Sequence, residues 1–297
     1  MWNPHRGGRC PRLLWLVLLV GGLCTGTAPA APSTPPAGEQ LEVSMLLRGA
    51  LDVSASGAVE ALHLGDERQV PPVVAGFVRR AVAGWRFDPY LQEGQPRAIR
   101  IPLILRVVGT PLDDGNLQIA LRSASFQNYD PNDPTRLTWQ NAAPPLYPGG
   151  AGMFGVNGDA YVLMRVGRDG RVQDAIVEQV NMRVRASPRR LAAYRKQFSR
   201  NALVAARTWS FRVPTEGESR DAPYWLVRVG VRYDVKGEGE QFARWYPYLP
   251  GPRHRPTWTD PATLLLAADA PDALPADGSL YQAGQRGPVL RTPLGGG

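Results

Sequence analysis

Tyr161-Val-Leu-Met-Arg-Val-Gly-Arg-Asp-Gly-Arg-Val-Gln-Asp-Ala-Ile-Val-Glu-Gln-Val180 reads as two strands joined by a tight turn. Tyr161 to Val166 is apolar and β-favouring, Arg168-Asp169-Gly170-Arg171 is a turn of the kind that joins antiparallel neighbours, and Val172 to Val180 is the returning strand. A helix follows. Ser187 is a good cap, Pro188 suits a first turn, and Leu191, Tyr194, Phe198, Ala202, Ala205 and Trp209 recur along one stripe. Trp209-Ser210-Phe211 closes it. Pro214 to Ala222 is a turn-rich loop, and a last strand from Tyr224 to Val235 carries Trp225, Val227, Val229, Val231 and Tyr233 on one face.

The same order of elements is legible upstream. Val43, Met45, Leu47, Leu51 and Val53 alternate in part between Leu41 and Ala55, Ser56-Gly57 turns the chain, and Val59 to Leu64 returns. Pro71-Pro72 opens a helix bearing Val74, Phe77, Val78, Ala81 and Trp85 at helical steps, ended by Trp85-Arg86-Phe87-Asp88-Pro89. Ile99 to Val108 is a strongly apolar strand, and Asp113-Asp114-Gly115 turns it into Leu117 to Leu121. Both units read as strand pair, helix, Trp-x-Phe, loop, strand. That order predicts an internal duplication of a small α+β unit, each a short antiparallel sheet covered on one face by its helix.

Around these units the chain of 297 residues carries 32 Gly and 29 Pro, more than average, with 43% apolar and 20% charged residues. Met1 to Arg12 holds Arg6, Arg9 and Arg12 with no acid, Leu13 to Val20 is a short apolar core, and Ala28-Pro29-Ala30 has small residues at cleavage spacing. This is the pattern of a secretory signal. The run Leu13–Ala31, read as one segment, is alternatively an uncleaved anchor, and Cys24 with Leu23 before it is a weaker match to a lipid-attachment site. The expected organisation is therefore a signal peptide at 1–30 and a short linker at 31–40, followed by a first unit at 41–125 and an irregular linker at 126–158. A second unit at 159–236 and a tail at 237–297 complete it, the tail being mostly disordered apart from one short helix near Pro261 to Ala268.

Cleavage after Ala30 would remove three arginines and no acid, taking the formal charge from +8 to +5, and would leave no cysteine. The histidines are His5, His63 and His254, which leaves little material for metal clusters or Cys/His dyads. No metal or cofactor is expected. Acyl transfer would need His63 or His254 as its base, and neither lies in a nucleophile motif; the acid pair Asp113 and Asp114 falls in a turn. No phosphate-binding loop or dinucleotide fingerprint is present, so the chain reads as non-catalytic. From Pro188 to Thr208 there is no acid, and Arg189, Arg190, Lys196 and Arg200 mark a candidate contact for an anionic surface, including a membrane. Export disfavours nucleic acid as the partner.

Pro144-Pro145-Leu146-Tyr147-Pro148, then Asp169-Gly170-Arg171-Val172, then Trp209-Ser210-Phe211 with Pro214 behind it, resembles the C-terminal domain of TonB. The first unit is similar over the Gly57 turn and Trp85-Arg86-Phe87-Asp88-Pro89 but lacks the Tyr-Pro motif. Domains of this family sit in the periplasm and add a peptide of an outer-membrane receptor to a sheet edge. The resemblance thus implies a protein partner in the cell envelope, such as an outer-membrane receptor, met at Trp225, Val227, Val229 and Val231 of the last strand with Tyr147 and Pro148 beside it.

Energy transducers of the family show Gln-Pro-x-Tyr-Pro, a histidine in the anchor and a long Pro-rich spacer. Here Pro144 takes the Gln position, no histidine lies between Leu13 and Ala31, and only Pro32 to Gly38 precedes the folded part. The expectation is a periplasmic binding or adaptor protein that recognises an extended peptide or envelope component by strand addition. The alternative is a transducer anchored in the inner membrane.

Overall fold

The Tyr161–Val180 stretch forms the hairpin of β8 (Gly158–Gly167) and β9 (Val172–Met182), the centre of one of two large antiparallel sheets. A computed structural model describes residues 40–127, 129–259, 271–283 and 289–294, all of which lie in one compact unit. The expected signal segment at 1–30, nearly all of the expected linker at 31–40 and the helix expected near residues 261–268 lie outside the described residues.

The first sheet is built on β1 (Glu42–Val53) and β5 (Ile99–Pro111), paired along eleven positions from Val43↔Gly109 to Val53↔Ile99. β6 (Leu117–Ser125) adds to β5. On the other side of β1, β2 (Val59–Leu64) covers only the half from Gly49 to Val53. Met45, Leu47, Leu51 and Val53 alternate on one face of β1, where α1 (Pro72–Ala83) buries Val74, Val78 and Val82 against them. Trp85 and Phe87 close this core edge-to-face with Phe126. A small exposed hairpin, β3 (Tyr90–Gln92) and β4 (Gln95–Arg97), stands off it.

In the second sheet β8 lies between β9 and β11 (Tyr224–Tyr233), under α3 (Pro188–Ala206). Leu191, Phe198, Ala202 and Ala205 of the helix meet Val162, Met164, Val227 and Val229 in one buried cluster. The segment before β8 contributes β7 (Thr138–Asn141) and the short α2 (Gly149–Met153); β7 pairs with β10 (Ser210–Arg212) and stacks Trp139 on Phe211, with ring centroids 4.7 Å apart.

The expected α+β architecture of two sheet-plus-helix units is corrected by this structure. Strand exceeds helix, 41% to 17%, the described residues hold three α-helices, and neither unit is self-contained. The reason is the tail. Its β12 (Trp245–Tyr248) pairs with Glu42–Met45 of β1, and its β13 (Leu280–Ala283) pairs with Leu226–Val229 of β11. Both sheets therefore take a strand from residues expected to be mostly disordered. A sheet edge leaves a row of backbone donors and acceptors unpaired, and these two segments satisfy them. Pro247, which argues against a strand, is tolerated because β12 stands at an edge.

The faces turned away from the helices are also buried, and a charged network joins them. Arg106 of β5 donates from both terminal nitrogens to Glu240, at 2.7 and 3.1 Å. Arg232 of β11 reaches the same carboxylate at 3.2 Å and donates to Asp159 at 3.0 Å, while Arg183 donates to Asp159 at 2.7 Å. Beside it, Leu274 and Tyr281 of the tail pack on Leu46 and Ile104 of the first sheet. Tyr281 thus contacts one sheet while the backbone of its strand pairs with the other.

Candidate partner-binding surface

The last strand is not an open edge. β11 lies between β8 and β13, so a peptide arriving at Leu226–Val229 would have to displace the chain's own tail. Trp225, Val227, Val229 and Val231 are buried and point into the core beneath α3, which corrects their expected role as partner contacts. The alternation that made them look like one face of an exposed strand is the core face. At the other margin of the sheet, Leu249 exchanges backbone hydrogen bonds with Met182, and the His254 N–H donates to the Glu178 carbonyl at 2.7 Å.

Tyr147 is a fixture of the same core. Its hydroxyl donates to the Val156 carbonyl at 2.6 Å, and its ring meets Phe198 and Tyr233 edge-on. Burial, followed by the nearby Asp234, pushes its phenol up to about 12. Pro148 is buried at the N-cap of α2, its carbonyl accepting from Ala151 and Gly152.

Pro148, but not Tyr147, lines a groove of about 530 Å³ between residues 143–150 and α3. One wall is pinned at both ends. Trp209 Nε1 donates to the Ala143 carbonyl at 2.7 Å, and Asn201 Nδ2 donates to the Leu146 carbonyl at 2.8 Å. The Pro-rich backbone is thereby held off the helix, and Leu146, with 82% of its surface exposed, faces outward across from Val204, 58% exposed. Gln197, Arg200 and Asn201 line the helix side. Two large apolar side chains thus stand open to solvent on either side of a concavity.

Of the expected anionic contacts, Arg200 lines the groove, and Arg189, Arg190 and Lys196 are exposed along the same helix. Arg195, a neighbour in sequence, is instead turned to the Pro250 carbonyl at 3.0 Å. The sequence reading missed Leu146 and Val204 as site residues. A signal for Val204 was present: at 100° per residue it falls outside the buried stripe set by Leu191, Phe198 and Ala202.

His63 lies on β2 with its Nε2 2.7 Å from Asp52, whose carboxylate Arg100 grips at 2.6 and 2.9 Å. The Arg100 and then the His63 hydrogen bonds hold Asp52 well below the usual carboxylate range. The imidazole is therefore part of a surface ion cluster with an anion and a cation as its contacts. Among the described residues no three His, Cys, Asp or Glu side chains converge as a metal site requires. No helix among them is long and apolar enough to cross a membrane.

No family model, curated protein or solved structure matches this chain.

Proposed function

We propose that the protein is a non-catalytic binding or adaptor protein of the periplasm that holds an extended peptide segment of an envelope protein. The observation that carries this reading is the groove between residues 143–150 and α3, with Leu146 and Val204 exposed on opposite walls and Arg200 between them. Its volume lies within the range of roughly 300–1,000 Å³ typical of sites that take a ligand or a few side chains. An apolar side chain of the peptide would fill the space between Leu146 and Val204, and a neighbouring carboxylate would meet Arg200.

The secretory pattern of Met1–Ala30 and the resemblance to TonB C-terminal domains support the compartment and the binding role. The mode of binding differs from strand addition at β11. β13 already occupies that edge, whereas the groove is open.

The test is site-specific photocrosslinking in intact cells from residue 146 or residue 204, with Glu60, exposed on β2, as the control position. Discrete adducts with an envelope protein from 146 and from 204 but not from 60 are expected, those from 146 being lost with Val204→Asp and those from 204 with Leu146→Asp. Adducts equal to those from position 60, or indifferent to the two aspartates, would remove the groove from consideration.

A further inference from the structure

The outer face of α3 has a second property, of which the peptide groove uses only Arg200. Arg189, Lys196, Arg200 and Arg207 fall within about 20° of a single line along the helix at 100° per residue. That line runs opposite the buried Leu191 and Phe198. Arg189, Lys196, Arg200 and Arg207 are all exposed, and none has an ion-pair partner among the described residues. The helix has no acid in its first turn and no side-chain cap from Ser187. Arg189 and Arg190 therefore stand against the positive end of the helix dipole, an arrangement that a bound polyanion relieves.

Beside this row the α2 turn presents Met153, 86% exposed, and Phe154, 78% exposed. Gly149 and Gly150, at the start of the same short helix, line the groove together with Arg200, and Met153 and Phe154 follow them by three to five residues. A row of unpaired cations next to protruding apolar side chains is the combination with which proteins lie on an anionic bilayer: the cations meet lipid phosphates and the apolar tips enter the acyl boundary.

We propose that the α3 face docks on the surface of an anionic phospholipid bilayer, with Arg189, Lys196, Arg200 and Arg207 against the headgroups and Met153 and Phe154 inserted beside them. An acidic polypeptide would satisfy the cations but leaves Met153 and Phe154 without a role. Docking in this way would hold the peptide groove next to a membrane surface.

The test is binding of the full chain to vesicles of phosphatidylglycerol with phosphatidylcholine, compared with phosphatidylcholine alone. The variants are Arg189→Gln/Lys196→Gln/Arg207→Gln and Met153→Ser/Phe154→Ser; Arg200 is left in place because it also lines the groove, so that crosslinking from residue 204 can be followed separately. Wild-type chain is expected to prefer anionic vesicles, and the triple variant to bind them on the order of a hundredfold more weakly, from about 1 kcal/mol for each cation near the surface. Any contribution of Leu13–Val20 is common to all variants. A local probe removes it: a polarity-sensitive dye on Phe154→Cys, in a chain with Cys10→Ser and Cys24→Ser, is expected to shift to the blue on anionic vesicles only. Circular dichroism confirms that each variant is folded.

An unshifted dye, equal affinity for the two vesicle types, or triple-variant binding like that of the wild type would overturn the proposal. So would binding to polyglutamate without binding to vesicles, which would assign the cations to an acidic polypeptide. Loss of vesicle binding with crosslinking from residue 204 intact would separate this surface from the groove.

Discussion

The backbone N–H of Phe211 donates to the carbonyl of Gly170 at 2.8 Å, and Phe87 makes the same bond to Gly57, also at 2.8 Å. In each case the residue after Trp-x returns to the glycine of the preceding strand turn. The approach is close. Gly170 has φ +72, and a Cβ on it would stand 2.1 Å from the Phe211 carbonyl oxygen; for Gly57 the values are +85 and 2.0 Å.

Gly170→Ala is therefore expected to be destabilising for two reasons. A left-handed backbone costs a residue with a Cβ about 1 kcal/mol, and the Phe211 carbonyl must shift, breaking the bond, for about 1 kcal/mol more. The expected loss is roughly 2–4 kcal/mol by urea unfolding, with Gly57→Ala in the same range. A loss below 0.5 kcal/mol would show that the contact is not needed.

Arg228 of β11 reaches across β8 to Glu178 of β9, donating at 2.7 and 3.0 Å, and both side chains are buried. Removing one charge takes a two-point ion pair from the other in low dielectric, whereas removing both leaves no such charge. Glu178→Ala is expected to cost about 3–5 kcal/mol, and Glu178→Leu with Arg228→Leu clearly less than the sum of the single changes. Chemical denaturation of the four proteins forms the cycle. Additive losses would mean that the pair is not coupled.

Burial pushes the Glu240 carboxyl up, but Arg106, Arg232 and Arg183 outweigh it and hold the group at about 2, against an ordinary 4.5. Because the folded value is the lower one, the folded state gains from ionised Glu240 above about pH 4.5. That gain is lost as the pH falls from there towards 2. The linked stability is on the order of 3 kcal/mol. Unfolding free energies measured at pH 6, 4 and 3 should fall steeply for the wild type. For Glu240→Gln, less stable at pH 6, the slope over the same interval should be shallower by about one proton. An unchanged slope would dissociate Glu240 from acid unfolding.

Periodicity located the parts of this fold whose partners are near in sequence. The turn at Gly170 sets β8 against β9, the stripe from Leu191 to Ala205 places α3 on them, and Trp85 and Trp209 are buried where their helices end. It could not locate β12 and β13. Each has four residues, one contains Pro247, and their partners lie about two hundred and about fifty positions away; alternation in so short a run carries almost no signal, and pairing across such separations leaves no local trace. The candidate site divided in the same way. Arg200 was legible because charge on a helix is local information. The meaning of Trp225 to Val231 was not, because an edge becomes an interior when a distant strand covers it.

That covering strand is locked by close contact at Gly230. A Cβ there would stand 2.5 Å from the Pro275 carbonyl oxygen and 2.7 Å from the Ala276 Cα, and the Gly230 carbonyl accepts from the Gly278 N–H at 3.0 Å. The tail therefore runs directly over β11 where no side chain is in the way. Gly230→Val should push residues 275–278 outward by overpacking, at a cost of about 1–3 kcal/mol, and weaken the β13 pairing that follows. Hydrogen exchange at those amides between Leu226 and Val229 that face β13 should then quicken on the order of tenfold or more, with protease cleavage gained between Pro271 and Ala283. The amides of Val162 and Met164 in β8, paired on the other side of β11, should be slowed or quickened far less if the change is local. Equal acceleration at β8 would mean that the tail is an integral part of one cooperative unit. A selective opening of Leu226–Val229 would create the free edge that the fold otherwise keeps closed, and peptide pairing at β11 should appear in this variant alone.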